Sequence, residues 1–394
     1  MRRLVFLLLL AWLGPAALAG TRVTVQQLDQ VLTTLHKQPD GKVAKQLFGL
    51  ELTERASSLR LERWQADFPG KRTREALLAL ADASAFLDLP ASEILPMDAL
   101  DADEQDWTFS LAIEYAANMN HELPNFVARR TTTHFSDRPP DALYPYLSDT
   151  EAYSSQADAT PPISRALYFA DKTVVLVTYR DGHEVKQSGA PEGGELDAQR
   201  IFELTTSGEL GPFVGNVIGG TVDGQVSWGH WEQGASGPLA VLRYAVPQPM
   251  SHYIVQFGWS PGMSHWAWTE PQTPAYHGEI AVDPESGAIL RLTLEAELKP
   301  PYQGFKYALV VEYGSVTIGD LTCICPIKGA ALSRMAISSR LSLVAASSHS
   351  GTETQNSTNT RLVTFLNDTA FTEYHVLNSD TRKLPKKPTP AAPE

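Results

Sequence analysis

An α+β fold is predicted for this chain of 394 residues, on three features of its sequence. Apolar residues recur at helical spacing from Thr24 to about His121, and apolar and polar residues alternate after Leu123. The alternating segments are joined by short turns, which favours antiparallel pairing. We therefore expect a helical region at residues 20–122 and a curved antiparallel sheet domain with a few packed helices at residues 123–377.

The first residues have the pattern of a secretory signal peptide. Arg2 and Arg3 precede an apolar run from Leu4 to Leu13, and the small residues Ala17 and Ala19 follow it. We expect residues 1–19 to be removed and the mature chain to begin near Gly20, in the periplasm or outside the cell. No later run reaches the roughly 18 to 20 apolar residues of a membrane span, so none is expected after cleavage.

The helical region begins with an amphipathic stripe. Thr24 and Gln27 have the spacing of a capping box, in which the two side chains satisfy each other's backbone N–H groups. The stripe consists of Val25, Leu28, Val31, Leu32 and Leu35. Four further helices are predicted near Lys42–Phe48, Thr53–Gln65, Arg74–Leu87 and Trp107–Asn120.

The sheet domain is predicted from alternating segments and turn residues. Asp181-Gly182 is a dipeptide suited to a tight hairpin turn. The segment Ile201–Gly220 is expected to hold one or two helices packed on the sheet. The predicted strands are Asn125–Phe135, Val174–Tyr179, Glu184–Gln187, Gln225–Trp231, Leu239–Val246, His252–Trp259, Tyr276–Val282, Ile289–Glu297, Tyr307–Tyr313, Met335–Val344 and Thr360–Leu366. The Lys- and Pro-rich tail at residues 378–394 is expected to be disordered.

The strand Ile289–Glu297 has the clearest alternation in the chain. One face carries Leu290, Leu292, Leu294 and Ala296, and the other carries Arg291, Thr293, Glu295 and Glu297. This pattern predicts a sheet with one buried face and one face in water.

Charge and cysteine content narrow the class of protein. Acidic residues outnumber basic ones by 45 to 32, for a formal charge of -13, and nucleic acid is not an expected partner because phosphate contacts need basic clusters. Cys323 and Cys325, the two cysteines of the chain, would share a strand face; a redox pair is one interpretation, and two small apolar strand residues is the favoured one. No cofactor is predicted.

Three stretches resemble secreted bacterial proteins whose sheet domain is similar to the lipoprotein-carrier (LolA-like) half-barrel superfamily. They are Leu123-Pro124-Asn125-Phe126, the hairpin Gly278 to Gly287, and Val311 to Val316 continuing through Pro326-Ile327. The likeness covers roughly Leu123–Leu377. It implies a strongly bent sheet whose concave apolar face holds an acyl chain or docks a lipidated partner.

Two motifs invite catalytic or metal interpretations. Gly258-Trp259-Ser260-Pro261-Gly262 fits the G-x-S-x-G pattern of a hydrolase nucleophile, but Pro261 has no N–H to donate to an oxyanion. The ten histidines include no pair in the strand region with the spacing that places metal ligands on one face. No catalytic residue and no metal site is predicted.

The candidate ligand contacts are apolar and lie on two strands. Tyr253, Phe257 and Trp259 share a face of one, and Leu290, Leu292 and Leu294 share a face of the other; that they simply fill the core is the alternative. We predict an exported cell-envelope binding or carrier protein, rather than an enzyme, for an apolar small molecule or a lipidated protein. The alternatives are a secreted hydrolase with a triad from distant residues and a structural interaction module.

Overall fold

The computed structural model describes residues 21–137, 167–185, 212–255, 258–259, 267–268, 271–299, 304–345 and 353–377. Within this part of the chain, six α-helices and a ten-stranded antiparallel sheet form an α+β fold, as the periodicity predicts. The predicted signal peptide at residues 1–19, Ser260 and the tail at residues 378–394 lie outside the described residues. No described helix is long and apolar enough to span a membrane.

The helices and strands have the following bounds. The helices are α1 (Val25–Leu35), α2 (Asp40–Leu47), α3 (Ser58–Asp67), α4 (Lys71–Ala83), α5 (Ala102–Glu122) and α6 (Pro212–Val222). The strands are β1 (Thr21–Val23), β2 (Leu50–Leu52), β3 (Phe126–Ser136), β4 (Tyr168–Arg180), β5 (His183–Val185), β6 (Gln225–Gln233), β7 (Pro238–Val246), β8 (Gly258–Trp259), β9 (Ala267–Trp268), β10 (Ala275–Val282), β11 (Ile289–Glu297), β12 (Lys306–Ile318), β13 (Leu321–Ala345) and β14 (Glu353–Val376).

The chain divides into two compact units. The first comprises Met1–Glu93, His134–Asp171 and Leu332–Leu366, and the second comprises Ile94–Thr133, Lys172–Ala331 and Asn367–Glu394. Helices α1 to α4 belong to the first unit, whereas α5 and α6 belong to the second. The domain boundary predicted at Leu123 stays a prediction.

The first unit is built on the amphipathic stripe of α1. Thr24 and Gln27 form the predicted capping box, with the Thr24 hydroxyl accepting from the Gln27 N–H at 3.1 Å and the Gln27 side chain accepting from the Thr24 N–H at 2.9 Å. Leu28 is fully buried. Apolar residues of α1 to α4 form one core, which includes Val25, Leu28, Leu32, Leu35, Val43, Leu47, Leu61, Trp64, Ala76 and Leu77.

Asp40 joins two helices of this unit. It lies in the first turn of α2, and its Oδ1 accepts hydrogen bonds from the Thr73 hydroxyl at 2.6 Å and the Thr73 N–H at 2.9 Å, in the first turn of α4. The hydrogen bond from the Thr73 hydroxyl is the main cause that holds the pKa of Asp40 below its usual value, and the bond from the Thr73 N–H adds to it. Partial burial opposes this shift. A side chain on Gly70 would place its Cβ 2.2 Å from Oδ1 of Asp40, so glycine is needed where the two helices meet.

The ten strands follow the order β5-β4-β3-β14-β13-β12-β11-β10-β7-β6, so the sheet is not closed. The predicted hairpin is confirmed at β4 and β5, where Thr178 pairs with Val185. Asp181 and Gly182 adopt φ angles of 52° and 80° in its turn, as a primed turn requires. In the predicted strand His252–Trp259, the structure has a bridge between Val255 and Gln272 and the two-residue strand β8.

Helix α6 packs on one face of the second unit's strands, called here the helix-covered face. Phe213, Val214, Val217 and Ile218 of α6 are buried. A Cβ on Gly220 would lie 2.2 Å from the Tyr276 hydroxyl and 3.5 Å from Val246, so these two residues mark the face. Residues in alternate positions along the strands share it, among them Leu242, Tyr244, Tyr276, Ile280, Leu292 and Leu294.

Two strands carry β-bulges that change the register of their side chains. On β6, Trp228 pairs with Leu242 and His230 with Val241, which leaves Gly229 as the additional residue. On β11, Ile289 pairs with Val282 and Arg291 with Ala281, which leaves Leu290 as the additional residue. His230 follows the first bulge and Arg291 follows the second. Both side chains lie on the face opposite to the helix-covered face.

Candidate functional site

The candidate site is a row of residues across the face opposite to the helix-covered face. His230 pairs with Val241, Val241 with Ala281, and Ala281 with Arg291, on strands β6, β7, β10 and β11. Residues directly opposite one another in a sheet point to the same side. His230 and Arg291 therefore project from the same face, with the small side chains of Val241 and Ala281 between them.

Arg291 is the centre of the charged cluster, a name used here for His230, Glu232, Arg243, Glu279 and Arg291. Its Nη2 lies 2.8 Å from Oε2 of Glu232 and 3.2 Å from Oε2 of Glu279. Glu232 is on β6, and β10 and β7 stand between that strand and β11. The short side chains of Ala281 and Val241 leave room for the arginine to reach across them.

The remaining members of the cluster flank this ion pair. Nε2 of His230 lies 3.6 Å from Oε2 of Glu232, and Nε of Arg243 lies 3.6 Å from Oε1 of Glu279. Both distances exceed that of a hydrogen bond. The side chains of Arg291 and His230 are each 8% exposed, whereas that of Arg243 is 52% exposed. The open side of the cluster is therefore at Arg243.

The segment Ile94–Asp98 holds Glu232 and its neighbour Trp231 in place. The backbone of Ile94 forms a bridge with Glu232, and the Leu95 N–H donates to the Trp231 carbonyl at 3.1 Å. The Trp231 indole N–H donates to the Asp98 carbonyl at 2.6 Å. Strand β6 is thus clamped along its outer edge, and its side chains are fixed relative to Arg291.

The electrostatics of the cluster keep Arg291 charged. Burial alone would lower its pKa, but the carboxylates of Glu232 and Glu279 favour the charged form and the pKa lies above its usual value. Two arginines and two glutamates balance one another, and Glu312, the register partner of Arg291 on β12, adds a further negative charge nearby.

Some polar atoms of the cluster have no hydrogen-bond partner among the described residues. Nε and Nη1 of Arg291 are buried and have no hydrogen-bond partner among the described residues, and the same holds for Nε2 of His230. Buried polar groups in folded proteins nearly always have a partner, in protein, water or ligand, because an unsatisfied one costs about 1–3 kcal/mol. Any acceptor held by these two nitrogens must be small enough to be enclosed with them, because both atoms are buried.

The expectation that Arg291 and Thr293 lie on a face in water is wrong. Both residues are buried, Arg291 through its ion pairs and Thr293 through its hydroxyl, which accepts from the Glu279 N–H at 2.7 Å. Alternation shows which residues share a face of a strand. It does not show whether the polar face contacts water or belongs to a buried polar network.

The predicted leucine contacts are divided by the bulge on β11. Leu292 and Leu294 are fully buried on the helix-covered face, where they pair with Val311 and Leu309. Leu290 is set apart from them, because it packs with Leu239, Val241 and Ala281 on the face of the charged cluster. The three leucines therefore do not line one surface.

The predicted aromatic contacts are described in part. The Tyr253 hydroxyl lies 2.8 Å from the Tyr307 hydroxyl, and the Tyr253 ring centroid lies 5.9 Å from those of Tyr276 and Tyr307. Phe257 and the side chain of Trp259 lie outside the described residues. The structure thus brings Tyr253 to two tyrosines that the sequence did not single out. Burial raises the pKa of Tyr276 to about 12, so its hydroxyl is protonated and serves as a donor.

The two cysteines are not joined by a disulfide. Cys325 is buried in a core with Phe126 and Tyr179, and burial, followed by the proximity of Cys323, raises its pKa to about 12. A thiol with that pKa is a poor nucleophile, which agrees with the favoured interpretation of small strand residues. No group of three or more metal-ligating side chains occurs within the described ranges.

The charged cluster could not be found from the sequence, because its members are spread over four strands and meet only through the register. The one available signal was the presence of charged residues at alternate positions of otherwise apolar strands, as at Arg243 and Arg291. Comparisons of the chain with protein-family models, with curated proteins and with solved structures found no match.

Proposed function

We propose that the protein is an exported binding protein of the cell envelope, and that it takes its ligand at the charged cluster. The observation that carries this proposal is the pair of buried Arg291 donors, Nε and Nη1, without a partner among the described residues. Binding sites place a few fixed polar groups where they can orient a ligand. Arg291 has this character because its two carboxylates fix the guanidinium through Nη2 and leave Nε and Nη1 without a hydrogen-bond partner among the described residues.

The pKa shifts of three groups outside the cluster accompany burial or structural hydrogen bonds. Catalytic acids, bases and nucleophiles are normally shifted towards the working pH. Here the pKa values of Tyr276 and Cys325 are raised by burial to about 12, which keeps both groups protonated. The lowered pKa of Asp40 accompanies its hydrogen bonds to Thr73 and is explained by a structural role.

Export and the half-barrel form part of the same proposal. Export is supported by the basic, apolar and small-residue segments between Met1 and Gly20. The half-barrel is supported by the resemblance of residues 123–377 to the LolA-like superfamily, together with an antiparallel sheet that is not closed. We also propose that residues 20–122 form a helical region separate from the sheet domain at residues 123–377.

An apolar or lipidated ligand is the second candidate, and the half-buried Tyr253 favours it. Leu292 and Leu294 are enclosed by protein, so an acyl chain would not lie between them. Tyr253, in contrast, is half-buried, and its ring is tilted against those of Tyr276 and Tyr307. In this candidate the chain would lie along the three tyrosines.

The test is native mass spectrometry of the mature protein purified after export, comparing wild type with the triple variant Arg291→Met/Glu232→Gln/Glu279→Gln, which leaves no buried charge alone, and with the exposed control Arg63→Gln. A co-purifying small molecule in wild type and in Arg63→Gln, but not in the triple variant, is the expected result. A lipid displaced by a fluorescent fatty acid, and lost in Tyr253→Ala instead, would establish the second candidate. Turnover of ester or peptide substrates by the same protein would favour the hydrolase alternative.

A further inference from the structure

Helix α5 has one side that faces solvent and carries a large aromatic side chain. Trp107 is 65% exposed. The opposite side of the helix is buried, at Thr108, Ala112 and Met119. The solvent side follows the helical spacing of three and four residues, and its members are all exposed; they are called here the exposed α5 face and comprise Asp103, Asp106, Trp107, Ser110, Glu114 and Asn118. Because tryptophan is enriched at interfaces, this face indicates a docking surface.

The exposed α5 face is acidic around its indole. Asp103 and Asp106 lie within one helical turn of Trp107, and Glu114 lies two turns further along. None of these three carboxylates has an ion pair within the part of the chain that the structure describes, and the sequence of α5 contains no lysine or arginine. An indole ring attracts cations through its face, and carboxylates pair with them. The face therefore favours a basic partner.

The chain contains a basic segment of the matching kind. Residues 382–387 have the sequence Arg-Lys-Leu-Pro-Lys-Lys, in a chain whose formal charge is -13. They belong to the C-terminal tail, residues 378–394, which lies outside the described residues. Pro385 and Pro388 favour the extended polyproline conformation, and proline-rich segments in that conformation dock on surfaces lined by aromatic side chains.

The tail starts next to the end of α5 and is long enough to reach Trp107. The N–H of Leu377 donates to the Asn125 carbonyl at 2.9 Å, and α5 has its C-cap at Leu123. A helix rises about 1.5 Å per residue, which places Trp107 about 24 Å from Leu123. A polyproline segment rises about 3.1 Å per residue, which allows Lys386 to lie about 28 Å from Leu377. The two lengths agree, and both parts belong to the second unit.

We propose that the C-terminal tail of this chain docks on the exposed α5 face. The tail runs back along the helix from Leu377, with Pro385 against the indole of Trp107 and the lysines at 386 and 387 beside the carboxylates of Asp103 and Asp106. The tail that the sequence predicts to be disordered is then held by ring contacts and by charge. This inference does not depend on a ligand at the charged cluster.

The test is limited tryptic digestion of the full mature protein at low salt, followed by mass spectrometry of the intact chain. Docking protects the peptide bond after Lys383, so its cleavage should be at least about threefold faster in Trp107→Ala and in Asp103→Asn/Asp106→Asn than in wild type. The matched control Glu62→Gln/Asp67→Asn removes two exposed carboxylates of α3 and should be cleaved at the wild-type rate. At about 0.5 M NaCl the rates of wild type and Asp103→Asn/Asp106→Asn should converge, because salt screens exposed charges.

Carbodiimide crosslinking, which joins a lysine amine to a carboxylate in contact with it, locates the docked tail. We expect links from Lys386 and Lys387 to Asp103 and Asp106, formed within one chain when isotopically labelled and unlabelled proteins are mixed. Links between labelled and unlabelled chains would refute the assigned occupant and identify the tail of a second copy instead. Links spread evenly over the acidic surface, or equal cleavage rates in all four proteins, would refute the docking itself. None of these outcomes affects the co-purification experiment on the charged cluster.

Discussion

The most informative single substitution is Arg291→Met, which removes the positive charge at the centre of the charged cluster and leaves an unbranched apolar side chain in its place. The side chains of Glu232 and Glu279 are only 14% and 18% exposed. In the variant they lose the positive charge that stabilises their carboxylates. Removing one partner of a buried ion pair costs about 3–5 kcal/mol. We expect a loss of this size in the free energy of unfolding, measured by urea denaturation at neutral pH.

Two comparisons separate the charge effect from a packing effect. The exposed control Arg63→Met should change stability by less than about 0.5 kcal/mol. The triple variant Arg291→Met/Glu232→Gln/Glu279→Gln, in which both glutamates are neutralised as well, should recover most of the loss. The deficit of Arg291→Met should also shrink as the pH is lowered, because the buried carboxylates can then take up protons in the folded state. A loss below about 1 kcal/mol, or one independent of pH, would refute the claim that the cluster is a buried, charge-balanced network.

Three further predictions concern groups outside the cluster. In α6, Gly219→Ala should stabilise the protein by about 0.5–1 kcal/mol, because nothing lies within 4 Å of the new Cβ. The neighbouring change Gly220→Ala should destabilise the protein by about 1–3 kcal/mol, because the new Cβ clashes with Tyr276. Thermal melts of the two variants measure both effects. Asp40→Ala should lower stability by about 1 kcal/mol at neutral pH. Since the folded-state pKa of Asp40 is depressed, wild type and variant should converge in acid titrations as the pH falls through that value. In a Cys323→Ser variant, which leaves one thiol, Ellman's reagent at pH 8 should leave Cys325 unmodified until the protein is unfolded, because its pKa is about 12. Rapid labelling of that variant in the folded state would contradict the burial of Cys325.

Local patterns of the sequence were sufficient to predict most elements of the fold. The capping box at Thr24, the hairpin turn at Asp181-Gly182 and the strand Ile289–Glu297 were each predicted, because each depends on residues close together in the chain. The long strands β13 and β14 were predicted only in part. The predicted segments Met335–Val344 and Thr360–Leu366 cover only the C-terminal part of β13 and the middle of β14. A strand of 25 residues is stabilised by its neighbours rather than by its own pattern.

The candidate site could not be predicted in the same way. The alternation at Leu290, Leu292 and Leu294 suggested one apolar surface, but the bulge moves Leu290 to the other face. Arg291 was assigned to water because charged residues are usually exposed. Its burial depends on Glu232, which lies three strands away in the sheet, and such a pairing has no trace in the local sequence.

The bulges at Gly229 and Leu290 also bear on which changes in chain length these strands can tolerate. In a regular strand, deleting one residue turns every following side chain to the opposite face and destroys the core. Here Gly229 and Leu290 are the residues without a cross-strand partner, so removing either one restores regular pairing and leaves the side chains before and after it on their own faces. Evolution can therefore shorten β6 or β11 at these two positions, and related sequences should show single-residue gaps there and nowhere else in the two strands.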